Sequence, residues 1–314
     1  MSKTLRADLM LLLVALIWGA TFPLVSASLP YIHPPLLVFL RFAIGSLFFL
    51  ILIFPKLNKT TPKILWAGFI LGLFNSGVYL LQTLGMRHID ANTTAFIAAI
   101  GVVFVPFLSP LFGLSHLKKV EVLGSLVCLL GLYILTGARL SGFSTSEGLV
   151  LLSALTWAGS ICYIQKVTPH IKESQLLAFY QMVFLLPFAL SLSVADYHIP
   201  VFKPMVVFTL LYTGILASAC VFLIQMRYQQ DTTVTHAAII YSLEPVFASI
   251  LAIFINHLPL TPRILAGGGL ILTSILLIEL SPRLKSLRIG IEAPAHISTH
   301  PEEVQKRITE PPFP

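Results

Sequence analysis

Ten apolar runs, each close to 20 residues long, follow one another along the 314 residues of this chain. They lie at Leu9–Ser28, Leu36–Phe54, Ile64–Leu84, Thr93–Leu114, Val120–Thr136, Gly148–Val167, Leu176–Ala195, Met205–Met226, Thr235–Ile255 and Ile264–Leu280. A helix needs roughly 20 apolar residues to cross the hydrocarbon of a bilayer. The runs therefore predict an all-α membrane protein with ten transmembrane helices. The breaks between them carry proline, asparagine and charge, as in PKLNKTTPK at 55–63. Only 11% of the residues are charged, against about 25% in a soluble domain, so lipid is the solvent that suits this surface.

The charges that remain have a pattern. A net charge of +7 would fit a nucleic-acid partner, but the basic residues form short clusters between apolar runs and make no continuous face. They read as topology signals, and no nucleic acid is expected. With both termini on one side, fifteen Lys and Arg residues fall on that side and four on the other, namely Arg87, Arg139, Lys203 and Arg263. Positive charge marks the cytoplasmic side, so both termini are expected in the cytoplasm of a cell with an inner membrane. Lys3 and Arg6 ahead of an apolar stretch ending in Ser26-Ala27-Ser28 imitate a secretory leader, but the stretch is long and nine spans follow, which favours a retained first helix. Cys128, Cys162 and Cys220 lie inside apolar runs and read as buried hydrophobes, with no metal site and no cofactor expected.

The chain repeats itself. ALIWGATF at 15–22 matches ALTWAGSI at 154–161, which pairs Trp18 with Trp157 and Thr21 with Ser160 at a spacing of 139. Pro106 and Pro245 share that spacing, while Gly124 and Gly267, and Gly131 and Ser274, stand 143 apart. Asn75, Tyr79 and Gln82 are echoed by Ser218, Phe222 and Gln225, also at 143. Residues 1–140 and 147–280 are thus expected to be two five-helix repeats, with 281–314 a mobile cytoplasmic tail. Five is odd, so the second repeat must enter the membrane inverted, an architecture of alternating-access carriers with a central substrate cavity.

Polar groups inside lipid are costly and usually face a cavity or a partner. Glu244, directly before Pro245, either serves packing at a kink or faces the cavity and takes up a proton or a cationic group. Pro106 and Pro245 each remove one intrahelical hydrogen bond, which makes them plain helix distortions or paired hinges. Asn75, Tyr79 and Gln82 share one face of the third span, as interhelical glue or as cavity lining. Trp18 and Trp157, midway along their spans, are walls of a pocket or members of an interfacial belt, Thr21 and Ser160 are further cavity candidates, and Tyr163, Tyr180, Gln181 and Tyr241 weaker ones. Arg41 either snorkels to the outer interface or attracts an anion. The chain holds no P-loop, GxGxxG, HExxH or GxSxG, so no enzyme is expected.

LLVALIWGATFPL followed by LLVFLRFAIGSL resembles the opening of EamA-type proteins of the drug/metabolite transporter superfamily, and SLEPVFASILAIFI with LTPRILAGGGLILTSILL resembles their close. The resemblance covers most of residues 8–280. It implies two inverted five-helix repeats around a cavity and a secondary carrier, often an exporter, of amino acids or other small metabolites. The Gly-Glu that family members often carry before the last helix of each repeat is replaced here by Leu114-Ser115 and His257-Leu258. The expected function is export of a small polar or zwitterionic metabolite, with protons as a candidate coupling ion and a monomer or homodimer as the working form. An uptake carrier for a metabolite or nucleotide-like compound, a lipid-linked head-group flippase and a membrane assembly protein that moves nothing remain the alternatives.

Overall fold

A computed structural model describes residues 3–89, 91–136, 144–195, 199–248, 250 and 261–292. Residues Met1–Ile278 form one compact unit, which holds the helix packing and the site, and Glu279–Pro314 form a second. All regular structure among the described residues is helical. Among the described residues seven helices are long and apolar enough to cross a membrane: α1 Lys3–Ser28, α2 Pro34–Lys59, α3 Pro62–Gly85, α4 Thr93–Phe112, α6 Thr145–His170, α7 Ser174–Ala195 and α8 Pro204–Asp231. Between them lies α5, Lys119–Thr136, and after them come α9, Val234–Ala248, and α10, Pro262–Glu292. The end of the ninth apolar run, at 249 and 251–255, lies outside the described residues, as do 256–260, which include His257 and Leu258, and the tail from 293. Helix α10 carries on to Glu292, into the segment expected as tail.

Several helices begin one or two residues before their apolar runs because proline starts them. Pro34, Pro62 and Pro204 occupy the first turn of α2, α3 and α8, where the missing N–H has no partner to lose. Side chains cap others. Thr61 accepts from the Ile64 N–H at 3.3 Å, Thr233 accepts from His236 N–H at 3.2 Å, and Ser144 with Glu147 forms a reciprocal capping box.

Cross-links between distant helices define two ends of the bundle. At the end where the chain starts, Asp8 of α1 meets His236 of α9 at 3.3 Å, and Arg6 donates to Tyr228 of α8 at 3.1 Å. Lys59, the last residue of α2, pairs there with Glu173, before α7, at 3.3 Å. Hydrogen bonds from Lys59 and Gln175 hold the Glu173 carboxyl below the usual range of a glutamate. At the opposite end the Val201 N–H donates to the Tyr31 carbonyl, Lys203 lies over the Tyr31 ring, and Ser28 of α1 bonds Thr209 of α8.

Small residues set the helix contacts. Gly68 and Gly72 bring α3 against Tyr180 and Phe184 of α7. Helices α5 and α10 cross at two related places. Gly124 faces Ile278 and Ser274, while Gly267 faces Leu135 and Gly131. These are the same two contacts exchanged between the halves at a spacing of 143. A Cβ on Gly267 would stand 2.5 Å from the Leu135 Cβ and 2.6 Å from the Gly131 carbonyl oxygen. Gly267→Val therefore drives α5 and α10 apart, at a cost of about 1–3 kcal/mol or more from overpacking. A fall in melting temperature of several degrees is expected, with a much smaller fall for Gly269→Ala, since a Cβ there meets nothing.

Three helices are broken near their middles. Helix α1 breaks at Ala20, three residues before Pro23, and α9 at Ser242–Leu243, just before Pro245. Proline cannot bond the carbonyl four residues back, so the disturbance falls on its N-terminal side. Helix α4 behaves differently from the expected symmetric kink. Pro106 sits inside the helical stretch Gly101–Leu108, and the break falls earlier, at Ile100. Gly101, a poor helix former at the break, lies there against Trp157 and the Ala154 carbonyl of α6. Two π-helical segments also interrupt the bundle, Gly77–Leu81 in α3 and Tyr212–Cys220 in α8. Each widens the turn and rotates the remainder of its helix.

Candidate functional site

The broken helices surround a cavity in the half of the bundle away from the chain start. Helix α1 contributes Trp18, Thr21 and Phe22, α2 contributes Arg41, and α3 contributes Val78, Tyr79 and Gln82. Ala95, Ala98 and Ala99 of α4 and Ser153, Ala154 and Trp157 of α6 form the opposite walls. Tyr241, Ser242, Glu244 and Pro245 come from the break in α9. That break is pressed against the break in α1. A Cβ on Gly19 would stand 2.9 Å from the Glu244 carbonyl oxygen and 3.1 Å from the Ala248 nitrogen, so only glycine allows the approach.

Aromatic rings close the cavity on the side toward the chain start. Tyr241 lies between Trp18 and Trp157, its ring centroid 5.4 Å and 6.1 Å from theirs. These are tilted and edge-to-face arrangements, which the ring quadrupoles favour. The two tryptophans, one from each half, meet on one tyrosine. Trp18 is fixed by its indole N–H, which donates to the Ala217 carbonyl of α8 at 3.0 Å. The Thr21 hydroxyl is spent on its own helix, donating to the Trp18 carbonyl at 2.8 Å across the break.

Arg41 does not snorkel. Its residue surface is 5% exposed, and the guanidinium turns inward to the π-helical segment of α8. Its Nε donates to the Ser218 hydroxyl at 2.8 Å and one terminal nitrogen to the Ala217 carbonyl at 3.3 Å. The Tyr79 ring lies 4.6 Å from the guanidinium carbon, within the range of a cation–π contact. Geometry explains the difference from snorkelling. Pro34 starts α2 early, so Arg41 stands two turns inside the helix on its buried face, beside Leu37, Val38 and Phe42.

Glu244 is the second charge. Its carboxyl faces the cavity, and among the described residues no side chain or N–H donates to it. Among the described residues no direct ion pair joins Glu244 to Arg41, whose guanidinium is turned to Ser218 and Ala217. One cavity therefore holds an acid and a base on different helices, each with hydrogen-bonding capacity to spare.

Of the residues singled out in the sequence, Trp18, Thr21, Arg41, Tyr79, Gln82, Trp157, Tyr241, Glu244 and Pro245 line this cavity. Asn75, Ser160, Tyr163 and Pro106 do not. Asn75 donates to Gln181 of α7 at 2.9 Å, so that pair ties helices together, and Tyr180 bonds Thr60 nearby. The π-helical turn at Gly77–Leu81 holds Tyr79 and lies between Asn75 and Gln82, so the stripe drawn at ideal helical spacing does not share one face. Tyr163 packs between Phe74 and Phe112. The alanines of α4 carry no chemical signal, although their clustering in ANTTAFIAAIG marks a wall kept short.

The sequence pattern of the EamA-like transporter family matches residues 5–137 and again 145–280. An uncharacterized transporter of Archaeoglobus fulgidus is 34% identical over 280 residues, which cover 88% of this chain and 87% of that protein. The uncharacterized transporter YvbV of Bacillus subtilis is 27% identical over 92% of this chain and 97% of its own length. A solved crystal structure superposes with a TM-score of 0.72 over 89% of this chain and 98% of that one, at 19% identity, a likeness of fold alone. Two matched copies, the long apolar helices and transporter relatives along nearly the whole chain place it as a multi-pass membrane protein: it belongs to the EamA-like transporter family of the drug/metabolite transporter superfamily.

Proposed function

We propose that this chain is a secondary transporter that exports a small zwitterionic metabolite, of the amino-acid class, by alternating access. The observation that carries the reading is the pair Arg41 and Glu244, which face one cavity without neutralising each other. A buried ion pair would satisfy itself. Two separated opposite charges are complementary to a molecule that carries a carboxylate and an ammonium a few bonds apart. The aromatic side of Trp18, Tyr241 and Trp157 offers an apolar face to the remainder of such a molecule.

In this reading ten spans form two inverted repeats, bounded at 1–140 and 147–280, and the helix packing is consistent with the exchange of one for the other. Exchange of the halves turns the α1–α9 contact into α6–α4, α2–α8 into α7–α3, and α5–α10 into itself, and each of these pairs is packed. With the basic end in the cytoplasm of an inner membrane, the cavity lies in the outer half of the bundle. The tail beyond residue 280 is no part of the transport path in this reading.

A thermal-shift panel of metabolites on the purified protein tests it. A bound substrate at about 100 times its dissociation constant adds about 2.7 kcal/mol to stability, a shift of several degrees. Amino acids with both charges are expected to raise the melting temperature, and their amides or N-acetyl derivatives to do so far less. Each hit should then exchange across proteoliposomes loaded with the same compound. Hits that bind without exchanging would mark a binding protein and sink the transport reading.

A further inference from the structure

The side of the cavity toward the chain start is hydrogen-bonded to the contacts that close that end of the bundle. The Tyr241 ring faces the cavity, but its hydroxyl turns away and donates to the Gln229 amide oxygen at 3.3 Å. Gln229 closes α8, is fully buried, and passes the connection on to α6. Its amide nitrogen donates to the Ile161 carbonyl at 2.7 Å and reaches the Gln165 amide oxygen at 3.4 Å. Gln165 in turn donates to the Thr232 carbonyl, in the turn between α8 and α9, at 2.8 Å. One glutamine thus joins α6, the end of α8 and the middle of α9. Nothing in the sequence singles it out, because in QQD it reads as an ordinary polar loop residue.

We propose that Gln229 is the latch of the closed end: its bonds hold α6 against α8 and α9, and Tyr241 connects the latch to the cavity. This rests on the alternating-access reading. Parting α6 from α8 and α9 breaks three of these bonds together, and the fourth, Tyr241 to Gln229, ties α9 to the same glutamine. Buried amides left without partners are costly, so the latch favours all-or-none closure over partial opening. A substrate that shifts the Tyr241 ring between its two tryptophans moves the hydroxyl that Gln229 accepts from. Gln229 is a positioning residue and touches no substrate.

Cysteine accessibility tests the latch without a substrate. In nanodiscs both faces of the protein are open to a charged maleimide, so the direction of insertion does not matter. In a background with Cys128, Cys162 and Cys220 replaced by alanine, two reporters are compared. Ala237→Cys lies buried at the latched end, and Ala98→Cys lines the cavity. Gln229→Leu is expected to raise labelling at position 237 about two- to tenfold, the factor that the net worth of a buried hydrogen bond implies, and to lower it at position 98. Tyr241→Phe should move both in the same directions by less. Unchanged labelling at both positions overturns the latch even if transport is intact. A rise at both, or a collapse in melting temperature, means local unfolding and overturns it as well. Reciprocal labelling in a protein that exchanges no metabolite would keep the latch and remove the transport reading.

Discussion

Glu244→Gln is expected to flatten the pH dependence of transport. The substitution keeps the shape of the side chain and removes its charge and its titration. A carboxylate binds an ammonium group only while ionised, so that contribution is present above the group's pKa and is lost as pH falls through it. Wild type and variant should therefore behave alike at low pH and diverge as pH rises, with wild type the better binder. A hydrogen bond to a charged group is worth about 1.5–3 kcal/mol, so the gap in affinity at high pH should reach about tenfold or more. Initial rates of exchange in proteoliposomes, measured across pH at both faces, give the comparison. Two parallel profiles would show that Glu244 neither holds the ammonium nor exchanges a proton, and would leave it as a packing residue at the break in α9.

Arg41→Lys is expected to be as damaging as removal of the charge. The guanidinium works through its plane: Nε on Ser218, a terminal nitrogen on Ala217 and a face on Tyr79. An ammonium on a flexible stem cannot make these contacts and also present a donor to the cavity. The KM for a carboxylate-bearing substrate should rise about tenfold to a hundredfold, again from 1.5–3 kcal/mol, with a smaller change in the maximal rate. An amide analogue separates recognition from collapse of the wall. Wild type should prefer the acid strongly, and Arg41→Lys should treat acid and amide nearly alike. Equal loss for both compounds would mean that Arg41 only holds α2 against α8. Arg41→Met, which removes the buried charge and its desolvation together, is the stability control and should melt close to wild type.

How far the sequence carries the structure depends on the physics that each feature uses. Apolar runs announce helices because hydrocarbon admits little else, and proline at Pro34, Pro62 and Pro204 marks where they start. Trp18 and Trp157 are legible as cavity residues because large aromatics at the middle of a span need a reason to be there, whereas Tyr241 carries a weaker signal. Asn75 leaves the cavity for a reason of backbone geometry. A π-helical turn makes no clear mark in composition, yet it redirects every side chain after it. Arg41 is hard to place from sequence because snorkelling and burial both suit an arginine near a helix start. Only the helix packed beside it, with Ser218 and a spare carbonyl, decides between them. Gln229 is invisible because its partners come from segments far away in the chain.

The alanine wall of α4 bears on selectivity. In the proposed transport cycle charge recognition belongs to α2 and α9, while Ala95, Ala98 and Ala99 bring only empty space. Room for the substrate's body is thus governed by a helix that takes no part in gripping its charged ends. A methylene gained or lost in an apolar pocket is worth about 1–3 kcal/mol. Relatives that differ only along this face could keep the same grip on the charged ends and sort their cargo by bulk.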